Sequence, residues 1–186
     1  MLGYFRLFTS LVVILFFVLL WNGCERSVPP SKTELLEIPP AERSPQEKDS
    51  VFVINDIQFK ISPYFWQDFM PLVPPEGPPF FLNFKIEIHN LTGKHVNGFS
   101  ALIAALYYFD TQHLFQSFKL IPTASTQPEE TISPLEKKTL IYTNDRNEIF
   151  SPQIEKGTKL YARIVVRWDG EKHLLTSPPA SVAYTY

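Results

Sequence analysis

The side chains able to do chemistry in this 186-residue chain are few and scattered. Its histidines are His89, His95, His113 and His173. His89 and His95 straddle one turn and would approach each other across a strand pair, the start of a two-ligand metal site. No cysteine cluster and no Asp at ligand spacing completes it. Two solvent-facing histidines at a polar strand end are the simpler reading, and neither metal nor cofactor is expected. Glu129 and Glu130 are adjacent in a polar loop, so they point in different directions and form no acid–base pair. The chain has no GxSxG elbow and no glycine-rich phosphate loop. These residues predict a protein that is not an enzyme.

What remains is recognition. Tyr64, Phe65, Trp66, Phe69 and Met70 crowd into seven positions ahead of a run with five prolines between Pro71 and Pro79. One reading makes this cluster a plug that folds over a sheet, in one or two helical turns, with Trp66 docked and Tyr64 or Phe65 left partly exposed. The other makes it an exposed patch for a partner protein or a glycan. These five residues are the candidate partner-binding set. Lys159, Arg163, Arg167 and Lys172 give a late hairpin a basic outer face, read as ordinary solvated charge or as a contact for acidic polymers and lipid headgroups. Asn90-Leu91-Thr92 is formally a glycosylation sequon but reads as a turn. The formal net charge is −2, and removing residues 1–23 takes away only Arg6, so the remainder is more acidic still. A nucleic-acid partner therefore has no electrostatic support.

The elements that must position these residues are strands. The chain holds 16 Phe, 8 Tyr and 3 Trp against 7 Gly, the balance of an aromatic-filled β core. Its 17 prolines interrupt most helical windows. In Phe80–Asp110, Leu82, Phe84, Ile86 and Ile88 alternate with Asn83, Lys85, Glu87 and His89, a period of two with one buried face. After the turn at Asn90–Gly93 and a bend or bulge at Asn97-Gly98, the run to Phe109 is uncharged. It predicts a central strand paired with the one before it and covered on both sides. Its faces are expected to be Phe99, Ala101, Ile103, Ala105, Tyr107 and Phe109 on one side, with Leu102, Ala104, Leu106 and Tyr108 on the other. Tyr64–Met70 is the expected lid.

Other strands are predicted at Val51–Ile61, His113–Ile121, Glu136–Thr143 and Thr158–Trp168. The last turns at Asp169-Gly170 into Lys172–Thr176, and Ser181–Tyr186 adds a short edge strand. Seven or eight short strands with no good helix imply an all-β domain of two packed sheets.

Ahead of that domain, Arg6, the uncharged run Leu7–Trp21 and Gly23-Cys24 have the parts of an export signal. The Gly23-Cys24 pair resembles a bacterial lipobox, which implies cleavage after Gly23 and acylation of Cys24, palmitate included. The longer stretch Leu2–Trp21 is also just long enough to span a bilayer as an uncleaved anchor. Cleavage into a soluble exported form is a third route, and all three place the domain outside the cytoplasm. A single cysteine permits no internal disulfide.

Residues 1–23 are thus a signal or anchor, 24–50 a flexible linker with five prolines, and 51–186 the domain. The stretch Phe84–Val166 resembles the FxLYD-type immunoglobulin-like domains of exported bacterial proteins. The resemblance rests on Asn90, Thr92 and Gly93, then Tyr107, Tyr108, Phe109 and Asp110, then Ile132, Pro134 and Glu136. It implies an immunoglobulin-like β-sandwich in a cell-envelope protein and carries no catalytic residues. The expected role is a membrane-tethered, extracytoplasmic binding or structural module, on the cell membrane or outer membrane, that contacts an envelope protein. The alternative is an envelope hydrolase or a carbohydrate-binding accessory domain.

Overall fold

Period-two alternation is realised across most of the domain. A computed structural model describes residues 38–43, 45–46, 51–70, 75, 77–145 and 150–186. The segment 1–23, Cys24 with the lipobox, and most of the linker lie outside the described residues. The strands are β1 (Val51–Ile54), β2 (Ile57–Asp68), β3 (Phe80–Asn90), β4 (Val96–Tyr108), β5 (Leu114–Pro122), β6 (Glu130–Ile132), β7 (Lys137–Asn144), β8 (Lys159–Trp168), β9 (Glu171–Thr176) and β10 (Ala180–Thr185). No helix occurs among the described residues, so none there is long and apolar enough to cross a membrane. In β3, Leu82, Phe84, Ile86 and Ile88 are buried while Lys85 is exposed. In β8, Leu160, Ala162, Ile164, Val166 and Trp168 are buried.

The strands join edge to edge into a closed ring. Each neighbour is hydrogen-bonded in the order β4, β5, β7, β3, β2, β10, β8 and back to β4. All these pairings are antiparallel except that of β10 with β2. β6 adds to β4, β9 to β8 and β1 to β2 as outer strands. Two strands turn the corners. β5 pairs with β4 from Leu114 to Lys119, then with β7 from Leu120 to Pro122. β10 pairs with β8 at Ala180 and Ser181, then with β2 from Val182 to Thr185. Aromatic side chains from opposite arcs fill the interior. Phe59 of β2 lies 6.1 Å from Phe99 of β4 and 5.3 Å from Trp168 of β8, and Phe80 of β3 lies 5.8 Å from Phe118 of β5.

Several expectations are corrected. β3 and β4 do not form a hairpin. β3 pairs with β2 and β7, whereas β4 pairs with β5, β6 and β8, so the turn between them carries the chain from one arc to the other. Asn90 holds that crossing. Its side-chain Nδ2 donates to the carbonyls of Lys94 (2.7 Å), Ser133 (3.0 Å) and Ile132 (3.3 Å), while Oδ1 accepts from the Thr92 N–H at 3.0 Å. A fully buried amide with its nitrogen so engaged is a structural hub and offers no glycan attachment point.

Val51–Ile61 is two strands. Asn55 and Asp56 both take positive φ, 51° and 58°, as a two-residue hairpin turn between twisted strands requires, and both residue types tolerate that region. The predicted turn at Asp169-Gly170 is built the same way, with φ of 48° and 83°. The bulge expected at Asn97-Gly98 is present as a register shift against β6, with Gly98 at φ 64°. A second shift between Ala101 and Ile103 was not legible. It moves the inward face of β4 from Phe99 and Ala101 to Ala104 and Leu106, so neither predicted face runs the full length of the strand. β6 appears where only a polar loop was expected, and β10 is an interior member of the ring rather than an edge.

Candidate binding surface

β2 is twelve residues long and carries the aromatic cluster on its second half. Aromatic residues suit a pleated surface, and Phe65 fits the inward position of the alternation. Tyr64–Met70 is therefore neither helical nor a lid: Tyr64 to Asp68 continue the strand, paired with β3 through Phe81↔Trp66 and Asn83↔Tyr64. The strand splits the predicted site between its two faces. Phe65 is 0% exposed, with Phe84 at 5.9 Å and Phe80 at 6.4 Å, so it belongs to the core and is removed from the partner-binding set.

Tyr64 and Trp66 point outward. Tyr64 is 49% exposed and its ring stacks on Trp66 at 5.2 Å, and Trp66 in turn meets Phe81 at 5.5 Å. Trp66 is half-buried beside its β-sheet neighbours instead of docked beneath them. Phe81 is the residue sequence reasoning missed. Its signal was its parity, since it falls on the outward set with Asn83 and Lys85. Ala183 of β10 and Thr143 of β7 continue the same outer face by register.

Phe69 and Met70 form a second cluster just past the strand end. The Phe69 N–H donates to the Thr185 carbonyl at 2.8 Å, placing its ring 4.5 Å from Tyr184 and 5.7 Å from Tyr186. Met70 is 52% exposed, with its N–H on Asp68 Oδ1 at 3.0 Å. A cleft of about 510 Å³ opens beside this cluster, lined by Gln67, Phe69, Ile154 and Tyr184. A second cleft of about 480 Å³ lies over the other end of β2, β3 and β7, among Lys60, Glu87, His89 and Lys137. There the Lys85 Nζ bond to Glu87 Oε1 at 2.7 Å leads the causes that hold the Glu87 carboxyl below the ordinary value. A third cleft, of about 460 Å³, lies among Ala41, Arg43, Phe52 and Arg163. Neither Tyr64 nor Trp66 lines any of these three clefts.

The histidines do not converge. His89 lies on the outer face of β3 in register with Gln58 and Lys137, and His173 stacks on Trp168 at 3.5 Å. Among the described residues no group of three His, Cys, Asp or Glu side chains is placed to hold a metal ion. Glu129 ion-pairs with Arg167, whereas Glu130 is buried and meets Lys138 Nζ at 2.6 Å, so the two acids face different partners.

The lid that β4 needs comes from elsewhere. Ile38 and Ala41, expected in a mobile linker, pack on the outer face of β4 and β8 over Ala105, Tyr107 and Tyr161. Both tyrosines are on outward positions yet almost wholly buried. Burial pushes both hydroxyls above the ordinary tyrosine value, and for Tyr107 the neighbouring Tyr161 adds to it.

No family model and no curated protein matches the chain. Among solved structures it is similar to the structural-genomics target SoR45, with 14% identity over 69% of this chain and 87% of that one, at a TM-score of 0.40. It is also similar to the copper-bound PCuAC domain from PmoF2, at 11% identity over 73% and 98% of the two chains, TM-score 0.37. The apo PCuAC domain from PmoF1 gives 11% identity over 73% and 99%, TM-score 0.31. At such low TM-scores the likeness carries no argument.

Proposed function

We propose that this chain is a bacterial lipoprotein whose domain, an FxLYD-like immunoglobulin sandwich, serves outside the cytoplasm as a non-catalytic binding module of the cell envelope. The membrane holds it through acylated Cys24, and a partner protein docks on Tyr64, Trp66 and Phe81, with Phe69 and Met70 extending the contact. The observation that supports this reading most is the outward stack of three aromatic rings on a rigid strand pair. Large aromatic side chains supply contact area at little entropic cost, and Tyr and Trp are enriched among residues that dominate interfaces. A rigid sheet also presents them without an ordering penalty.

Two measurements test it. Intact-mass analysis of membrane-extracted protein should show a chain starting at Cys24 with acyl chains, more than one being needed for stable residence. The Cys24→Ala variant should keep residues 1–23. Retention of residues 1–23 in the wild type replaces lipidation with an uncleaved anchor. For the partner, a photo-crosslinker at Tyr64 in native membranes should yield a discrete protein adduct that Trp66→Ser diminishes, while the same probe at Thr139 yields none. Equal adducts at both positions would remove the docking surface. An adduct dependent on added envelope polysaccharide would shift the reading to a glycan-binding accessory domain.

A further inference from the structure

The segment covering β4 and β8 is Ile38-Pro39-Pro40-Ala41, and the way it is held has the chemistry of peptide recognition. The rings of Tyr107 and Tyr161 stack at 5.5 Å and form, with Ala105 and Phe109, an apolar floor beneath it. The side chains of the segment carry no polar atom, and the floor bonds its main chain. The Tyr107 hydroxyl donates to the Ile38 carbonyl. The Ala41 N–H donates to the Tyr161 hydroxyl at 3.1 Å, which itself donates to Gln112 Oε1. Arg163 Nη1 donates to the Pro40 carbonyl at 3.4 Å. Between these points lie two residues with no N–H to satisfy. Proline fixes φ, so an extended Pro-Pro unit loses little entropy when it is laid down. Aromatic-lined grooves that bond the carbonyls of such units are a recurrent mode of peptide binding.

We propose that the outer face of β4 and β8 is a binding site for extended proline-containing peptide segments, with an apolar residue before Pro-Pro and a small one after. The chain's own Ile38–Ala41 occupies it in cis. An equivalent segment presented in trans competes for the same floor. Where the chain is tethered as proposed above, exchange of the occupant adds Ile38–Ala41 to the tether. That consequence rests on the anchoring, but the site itself does not.

Hydrogen exchange on the full-length 15N-labelled protein tests the site directly, reading the Ala41 amide. Wild type should protect it. Tyr161→Phe keeps the ring stack but removes the acceptor and should speed exchange at Ala41 roughly five- to tenfold, the scale of one lost hydrogen bond. A short linker gives a cis segment an effective concentration of about millimolar, so the unlabelled peptide Leu-Glu-Ile-Pro-Pro-Ala-Glu-Arg should deprotect Ala41 only at several millimolar. The same peptide with both prolines replaced by alanine should not compete at that concentration. An unprotected Ala41 in wild type overturns the site. Failure of the proline peptide to compete, or equal competition by the alanine peptide, overturns its specificity for proline segments.

Discussion

Phe65 and Trp66 occupy successive positions of β2, so a period of two sends one ring into the interior and the other to the outer face. Phe65 loses all contact with solvent, and Phe65→Ala should cost about 3–5 kcal/mol, as for a buried aromatic whose site cannot collapse. Trp66 is half-buried on the outer face against Tyr64 and Phe81, so Trp66→Ala should cost less than Phe65→Ala, about 1–2 kcal/mol. Urea melts of the two variants decide between this assignment and a docked Trp66, which would reverse the order. Asn90 calls for a different mechanism. Asn90→Ala removes no large volume but takes the shared amide from the carbonyls of Lys94, Ile132 and Ser133, of which Lys94 keeps the Thr92 hydroxyl and Ser133 keeps the Glu136 N–H. The buried Ile132 carbonyl loses this donor and the Thr92 N–H loses its acceptor, which should lower stability by about 1–2 kcal/mol, with the midpoint shifted at constant slope.

At the scale of elements, the titratable groups report on how strands are covered. Burial raises Tyr107 and Tyr161 beneath the Ile38–Ala41 segment and pushes Tyr142 on β7 up to about 12, the Ala101 backbone opposing it. A tyrosine with a raised folded pKa holds its proton more tightly folded than unfolded. Stability is therefore unaffected below the unfolded value near 10 and falls as pH rises from there towards the folded values. Glu130 has the opposite sign. Burial raises it, but the Lys138 ammonium and the Gln127 N–H outweigh burial and hold it below the ordinary carboxylate value. Its contribution is complete above the unfolded pKa and is lost as pH falls through the folded one. Chemical melts across pH should show losses at both ends, the alkaline one reduced in Tyr107→Phe.

Which elements were legible follows from the range of the forces that fix them. The alternation in β3 and β8 and the Asp169-Gly170 turn are local, and sequence reading recovered them. The partner of β3, the bulge in β4 after Ala101, the extension of β2 through Trp66 and the seating of Ile38–Ala41 depend on residues far away in the chain. Nothing within a ten-residue window encodes them. The aromatic cluster was found because its composition is unusual, but its division between two faces required the strand, and Phe81 entered only through register.

For the whole molecule, the ring depends on its last strand. β10 is the one parallel member and makes just two register pairs with β8 before crossing to β2. It is anchored further by the Gly157 N–H on the Val182 carbonyl at 3.0 Å and the Val182 N–H on the Thr158 carbonyl at 2.9 Å. Val182 is buried in the core, and Tyr184 and Tyr186 carry the rings that hold Phe69. Single truncation of Val182 to Ala should cost about 2 kcal/mol and leave a cooperative fold. Ending the chain at Pro179 is a different kind of change, because it bares the edge of β2 from Phe65 to Asp68 and the first residues of β8. Unpaired strand edges beside buried aromatics are templates for pairing with other chains. The shortened protein should lose cooperative unfolding and associate, whereas deletion of the strand at Val51–Ile54, which pairs only with Ile57–Lys60 and takes away the packing of Phe52 on Phe59, should lower stability but leave a cooperatively folding monomer. Thermal melts by circular dichroism with light scattering on both deletions test this. A monomeric, cooperatively melting chain ending at Pro179 would mean that the two arcs hold together through their aromatic interior without closure.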